Sequence, residues 1–456
     1  MKKFSKRILA CAVTAALMAP MSAFATNGYF AHGYSTKSNG MVGAGVALPE
    51  DAMAAATNPA GMVWVGQTGD IGLALFSPSP RKYTTTGGYN LPDGTPCPAQ
   101  GCPFDIGPQS IKSDNSVFFI PHFGMNWMVN PQSSLGISVY GNGGMNTKYK
   151  GGSAAHDDGS AFPAPGNSIR TPGTFGAGTA GVDLQQLFIA GTYSRKVSNT
   201  SSVGVSLIAA YQKFKAEGLA TFGPYSTDAA HLTNNGYDDS TGFGAKIGWQ
   251  GQVASGLTLG ASYQSKMSMS KFSKYKGLFA DGGSFDIPAT ATIGLAYDTT
   301  PSSKLAFDIQ KIFYSDIDPI ANPISGLLTK CATGADQSYC LGGSNGAGFG
   351  WQDMTIYKLG YQWATSPAWT WRVGYSHGNQ PIPSSEVMFN ILAPAVMEDH
   401  FTFGFTNKLS PTSDWSFAFM YAPNSSVSGK NPLDPTQNIK LEMTQYQAEA
   451  SYSWKF

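Results

Sequence analysis

From about residue 69 onward the chain repeats one pattern, in which stretches of roughly ten residues alternate apolar with polar side chains. Polar segments rich in Gly, Asn, Asp, Ser and Pro separate them. Alternation at period two gives a strand one apolar and one polar face. Val203, Val205, Leu207, Ala209 and Tyr211 share a face, with Gly204 and Ser206 opposite. Ala291, Ile293, Leu295 and Tyr297 alternate with Thr290, Thr292 and Gly294; Trp371, Val373 and Tyr375 alternate with Thr370, Arg372 and Gly374. Phe401, Phe403 and Phe405, then Trp415, Phe417, Phe419 and Tyr421, continue the theme, and Tyr452, Trp454 and Phe456 end the chain on it. Fourteen such segments centre near residues 73, 122, 141, 189, 209, 247, 264, 292, 308, 358, 373, 404, 418 and 448. An even number of strands that length suits a single-chain barrel crossing a membrane, with apolar faces towards lipid.

The connections alternate too. Asn130-Pro131-Gln132-Ser133, Ser198-Asn199-Thr200, Ala254-Ser255-Gly256, Thr300-Pro301-Ser302, the turn at Thr365 and Ser410-Pro411-Thr412 are tight. Between them lie long segments near 78–112, 150–180, 219–240, 316–350, 379–396 and 423–438. Short turns at one barrel end and long loops at the other are expected of an outer-membrane protein.

Composition sharpens this picture. Charged residues make up only 12% of the chain, aromatic residues another 12%, and there are 54 glycines; soluble domains carry about 25% charged residues. A net charge of +1 points to no polyanionic partner, so nucleic acid is not an expected ligand. Residues 1–25 read as a secretory signal: Lys2, Lys3, Lys6 and Arg7, an apolar run from Ile8, then Ala23-Phe24-Ala25. Without Cys11 of that signal, four cysteines remain in two close pairs, Cys97 with Cys102 and Cys331 with Cys340. Local disulfides are the simplest of three possible connectivities, and no further ligands beside them suggest a metal.

Residues 26–66 break the strand pattern. Small residues dominate Gly40–Ala47, and Glu50–Ala56 reads as a short helix ended by Asn58-Pro59. Placed before a barrel, this weakly charged piece predicts a plug in the lumen, with the barrel proper at 67–456.

Asn27-Gly28-Tyr29-Phe30, Gly40-Met41-Val42-Gly43-Ala44-Gly45, Asp51-Ala52 and Asn58-Pro59-Ala60 occur in order near the start. Arg372-Val373-Gly374-Tyr375, Pro381-Ile382-Pro383 and Asp399-His400 follow near the end. Together they make the chain resemble the FadL-type outer-membrane channels, which take up long-chain fatty acids and other hydrophobic compounds such as aromatic hydrocarbons. The resemblance implies an all-β membrane protein: a 14-stranded antiparallel barrel with a small N-terminal hatch, with Asn58, Pro59 and Ala60 as the hatch motif. It also implies capture between external loops, an interior pocket touching the hatch, and lateral exit where the third strand kinks. Gly141-Asn142-Gly143-Gly144 is the candidate kink, since glycine within a strand marks a bulge or bend.

Candidate ligand contacts are Phe30, Met41, Val42, Met53 and Met62 in the hatch and Ile208, which has lumen parity. For a carboxylate, the candidate cations are Lys213, Lys358 and Arg372; parity puts the last two in the lumen and Lys213 on the lipid side. Resemblance aligns Lys213 with a basic residue of fatty-acid members and puts Gln352 at a second basic position, an incomplete clamp that favours neutral ligands. No Gly-x-Ser-x-Gly elbow or His-Glu-x-x-His motif accompanies the mature histidines His32, His122, His156, His231, His377 and His400, so no catalysis, metal or cofactor is expected. The expected partners are a hydrophobic small molecule, outer-membrane lipid and lipopolysaccharide, and the barrel-assembly machinery through Phe456, with the channel a monomer. Rival readings are a general porin, a surface adhesin or receptor anchored by a barrel, and an outer-membrane lipase.

Overall fold

The computed structural model describes residues 26–88, 95–96, 104–158 and 166–456. Residues 1–25, with the expected signal, and Cys97 with Cys102 lie outside the described residues. Fourteen strands form the wall: β1 Thr68–Ser77, β2 Phe118–Asn130, β3 Ser133–Asn146, β4 Gly181–Lys196, β5 Ser201–Glu217, β6 Asp238–Ala254 and β7 Leu257–Gln264. The second half comprises β8 Thr290–Thr300, β9 Ser303–Ile312, β10 Met354–Ala364, β11 Trp369–Gly378, β12 Asp399–Ser410, β13 Ser413–Asn431 and β14 Asp434–Lys455. Each pairs antiparallel with the next, and β1 pairs with both β2 and β14, closing the ring. Closure satisfies the ladder groups that hydrocarbon cannot.

Side-chain direction follows the alternation. Leu207 and Phe243 point outward, 71% and 74% exposed, while Ser206, Ile208 and Gln212 are buried inside. An outward apolar belt with a polar bore is the arrangement lipid demands of a barrel.

Two connections differ from the sequence expectation. Residues 423–438 are not a long loop: β13 and β14 continue as a ladder to Lys430↔Asn438. Ser425, Ser426, Ser428 and Gly429 give that part of β13 no apolar face, so its strand character was hidden; Ile439, Leu441 and Met443 of β14 are buried there. Residues 265–289, between β7 and β8, form a long connection that the sequence reading did not single out. Cys331 and Cys340 are disulfide-bonded within the 313–353 connection.

The β2–β3 ladder stops early. It runs from Asn130↔Ser133 to His122↔Tyr140. Beyond it, Phe118–Pro121 pair only with β1, and Gly141–Asn146 only with β4 among the wall strands. The β3–β4 register slips between Gln186 and Leu187, so Asn142 is an extra residue that bends the strand. Asn142 Nδ2 donates to Gln186 Oε1 at 2.8 Å, which ties the bulge to β4. The β2–β3 ladder therefore ends short of the long-loop end of the barrel.

Residues 26–66 lie in the bore. Their tip takes the place that β2 leaves: Phe30 bridges Gly143, Ala31 N donates to Asn142 O at 3.0 Å, and Gly144 N donates to Tyr29 O at 2.9 Å. A Cβ on Gly143 would lie 1.8 Å from Tyr29 O, so only glycine admits this approach. The segment holds the short helices Thr36–Asn39, Ala54–Thr57 and Met62–Val65 around a tight turn at Pro59–Gly61. Lumen-facing Gly204, Gly260 and Gly374 let its backbone press against the wall, and Gly248 leaves room for the Asn58 side chain and the Pro59 ring.

Candidate functional site

The segment in the bore is fastened on all sides by polar groups. Asn58 does most at one point: Nδ2 donates to Val46 O at 2.7 Å and to Trp249 O at 3.0 Å, and Oδ1 accepts from Ala60 N at 3.0 Å. Pro59 starts the turn that follows, and Ser194 and Ser202 both donate to Ala60 O. Asp308 accepts from Gly45 N and Val46 N at 2.8 and 3.0 Å, while Asn126 donates to Met62 O and Gly66 O. Glu449 takes Thr36 Oγ1 and the Asn39 amide, and His122 sits between Asp70 and Glu449 at 2.8 and 3.2 Å.

The two cations expected in the lumen are there, and both are used on this segment. Lys358 Nζ donates to His32 O at 2.8 Å. Arg372 pairs with Glu50 at 2.9 Å and donates to Thr406. Burial, reinforced by neighbouring His400 and Lys358, holds the His32 imidazole well below its usual range, so it is neutral at pH 7. Lys213 is not in the lumen: it points outward, its Nζ 4.2 Å from the ring centre of Tyr237. The strand parity of β5 carries through without the bulge that would turn this residue inward.

The main apolar space is at the long-loop end. A pocket of about 480 Å³ of empty space, partly open to solvent, is walled by Phe214, Phe222, Phe279, Phe349, Phe389 and Leu392 with further aliphatic groups. Among the described residues, no charged side chain lines it. The rings lock one another: Phe214 and Phe279 are 4.7 Å apart, and Phe222 meets Phe389 edge-on at 5.4 Å. Apart from Phe214 on β5, these rings come from the long connections, which had been read as polar.

Rings continue inward from this pocket. Phe279 contacts Phe285 at 4.8 Å, and Phe285 lies 6.4 Å from Tyr29, which packs with Phe30, Tyr314 and Trp351. Tyr314 OH donates to Asn27 O at 2.6 Å and accepts from Tyr29 N, fixing the N-terminal tip under the aromatic floor. Leu392 also borders a second cavity with Met145, Trp351, Ala393 and Ala395, beside the bend of β3. A third cavity lies where the β2–β3 ladder ends, with Ile120, Pro121 and Tyr140 on one side and His122, Asn39, Gln447 and Glu449 as polar neighbours.

Of the side chains singled out from sequence, Phe30 stands in the aromatic floor and Ile208 on the lumen wall of the same apolar cluster. Met53 reaches that cluster from the other side and borders a polar cavity with Glu50 and Asp51. Met41 packs with Ala44 and Ala306 away from the pocket, buried Val42 holds a positive φ of 56°, and Met62 is buried near Gly136 at the short-turn end. One cation was missed. Arg81, 3% exposed, borders the second cavity; its Nη2 donates to Ser113 and Asn115 O, and its Nε has no partner among the described residues. Its sequence signal was hidden in a segment read as loop.

The family model described as outer membrane protein transport protein (OMPP1/FadL/TodX) matches residues 170–453. Among solved structures, the toluene transporter TodX of P. putida aligns with a TM-score of 0.62 at 16% identity, covering 93% of this chain and 99% of that one. A FadL homologue of Pseudomonas aeruginosa gives 0.63 at 14%, over 94% and 100%. The toluene transporter TbuX of Ralstonia pickettii gives 0.58 at 15%, over 93% and 99%. At these identities the likeness is one of fold. No curated protein sequence matches the chain.

Proposed function

Because this chain belongs to the outer membrane protein transport protein family (OMPP1/FadL/TodX), we propose that it admits small hydrophobic molecules through the outer membrane, down their gradient and without a cofactor. Residues 26–66 act as the hatch of a monomeric channel. The observation that carries this reading is the phenylalanine pocket at the long-loop end, lined by no charged side chain among the described residues and sharing Leu392 with a second cavity beside the bend of β3, while a third cavity stands where the β2–β3 ladder ends. A solute leaving the pocket along the bend of β3 meets lipid, whereas the axial way is filled by a segment tied to the wall at Asn58, Glu50 and His32. For an apolar solute the axial way would also mean leaving apolar surface for a polar bore, at about 25 cal/mol per Å².

The lining favours neutral aromatic hydrocarbons, because rings offer offset and edge-on contacts and nothing at the pocket pairs a charge. Phe279→Ser should weaken binding of toluene to the purified protein about tenfold, since a ring contact is worth roughly 1.5 kcal/mol. Equal affinity of variant and parent, measured by competition with a fluorescent hydrophobic probe, would remove the pocket from the account.

A second reading, that the ligand carries a carboxylate, is favoured by Arg81. A buried guanidinium bordering an apolar cavity suits an anionic head whose tail fills the phenylalanine pocket. The two readings separate in one variant. Arg81→Met should leave toluene uptake unchanged if the solute is neutral, and should depress fatty-acid uptake selectively if the second reading holds. A porin is opposed by the filled bore, since deleting residues 26–66 should then change conductance little; our reading expects a large rise.

A further inference from the structure

Between the segment in the bore and the wall on the side of β6 to β10 lies another cavity, which shares Gly33 and Tyr34 with the one at the end of the β2–β3 ladder and no residue with the phenylalanine pocket. It is bordered by Lys246, Lys358, Asp308, Gln310, Thr290 and Thr292 from the wall, and by His32, Gly43 and Thr57 from the segment. Its lining is polar, so it offers no wall to a hydrocarbon tail. Both lysines are at least nine-tenths buried, and each spends one hydrogen on a backbone carbonyl of the segment, Lys246 on Ala56 O and Lys358 on His32 O. Neither has a carboxylate within 4 Å among the described residues. The one carboxylate at the cavity among the described residues, Asp308, accepts on Oδ2 from Gly45 N and Val46 N, and its Oδ1 has no partner among the described residues. The other titratable neighbours are Tyr34 and neutral His32, with His400 stacked on His32 at 6.0 Å. With both lysines protonated, two ammonium groups face one carboxylate, a surplus of one positive charge in a buried space. His32 Nε2 and Gln310 Oε1, on residues that border it, have no partner among the described residues.

A buried cation without a counter-charge is costly, and a space able to hold water but not a lipid chain calls for a small solute. We propose that this cavity binds a free inorganic monoanion of chloride size between Lys246 and Lys358. The ion neutralises the surplus charge and fastens the segment to the wall, because both lysines that hold it also hold Ala56 and His32. The net charge of one disfavours divalent anions, and Asp308 repels them further.

Crystals of the mature protein soaked in bromide test this. A bromide anomalous peak within hydrogen-bonding distance of both Nζ atoms is expected, and Lys246→Met should abolish it while heat-modifiable migration shows the barrel intact. In detergent, chloride should raise the thermal midpoint of the parent relative to the bulkier gluconate, and not that of Lys246→Met. Absence of the peak, its persistence in Lys246→Met, or a parent midpoint indifferent to chloride overturns the proposal. Displacement of bromide from this position by dodecanoate would also overturn it, by giving the site to a substrate head. None of these readouts depends on uptake.

Discussion

Gly141→Phe is expected to cut uptake of a hydrophobic solute about tenfold or more while leaving its binding intact. Gly141 borders the cavity at which β2 and β3 part, opposite Pro121 in the continued register, and it shares the outward parity of Leu135 and Ile137. A ring there would lie across the opening. Overpacking costs about 1–3 kcal/mol, and an added barrier of about 1.4 kcal/mol already slows a rate tenfold. The phenylalanine pocket is lined by other residues, so affinity for the purified variant should match the parent. Uptake by cells expressing equal amounts of the two proteins is the measurement. Unchanged uptake would mean that solute does not pass between β2 and β3.

Asn58→Ala should loosen the segment in the bore and let hydrophilic solutes through. The side chain is 2% exposed and makes three hydrogen bonds, to Val46 O, Trp249 O and from Ala60 N. Leaving such buried groups unpaired costs about 1–3 kcal/mol each, so a destabilisation near 3 kcal/mol or more is expected. The ring of β1–β14 loses only the contact to Trp249 O, so barrel folding should survive. Planar-bilayer conductance and sugar-driven liposome swelling should both rise above the parent. If neither changes, Asn58 is scaffold and the segment is held elsewhere.

How far the sequence carried is visible in particular residues. All fourteen expected strand centres fall within β1–β14, because a lipid-facing wall forces alternation that no loop contact can mask. Parity also placed Lys358 and Arg372 inside and Lys213 outside. What parity could not give was partners: Arg372 meets Glu50 across 322 residues of sequence, and Lys358 meets His32 O across 326. Phe222, Phe279, Phe349 and Phe389 were missed because irregular connections carry no period, and their rings converge only through loop packing. The glycines Gly204 and Gly374 were legible as small inward residues, yet their reason, close approach of another backbone, needed the folded segment. The bend at Asn142 was signalled by its flanking glycines, but the end of the β2–β3 ladder depends on where β2 stops pairing.

Photolabelling of the reconstituted protein with a diazirine analogue of toluene, mapped by mass spectrometry, tests the route most directly. Adducts are expected on the loop-end rings around Phe279 and Phe389 and on Ile120, Pro121 and Tyr140 at the wall opening. Adducts clustered instead around Leu48, Glu50 and Asp51 on the short-turn side of the bore, with none at Ile120 or Pro121, would contradict lateral passage.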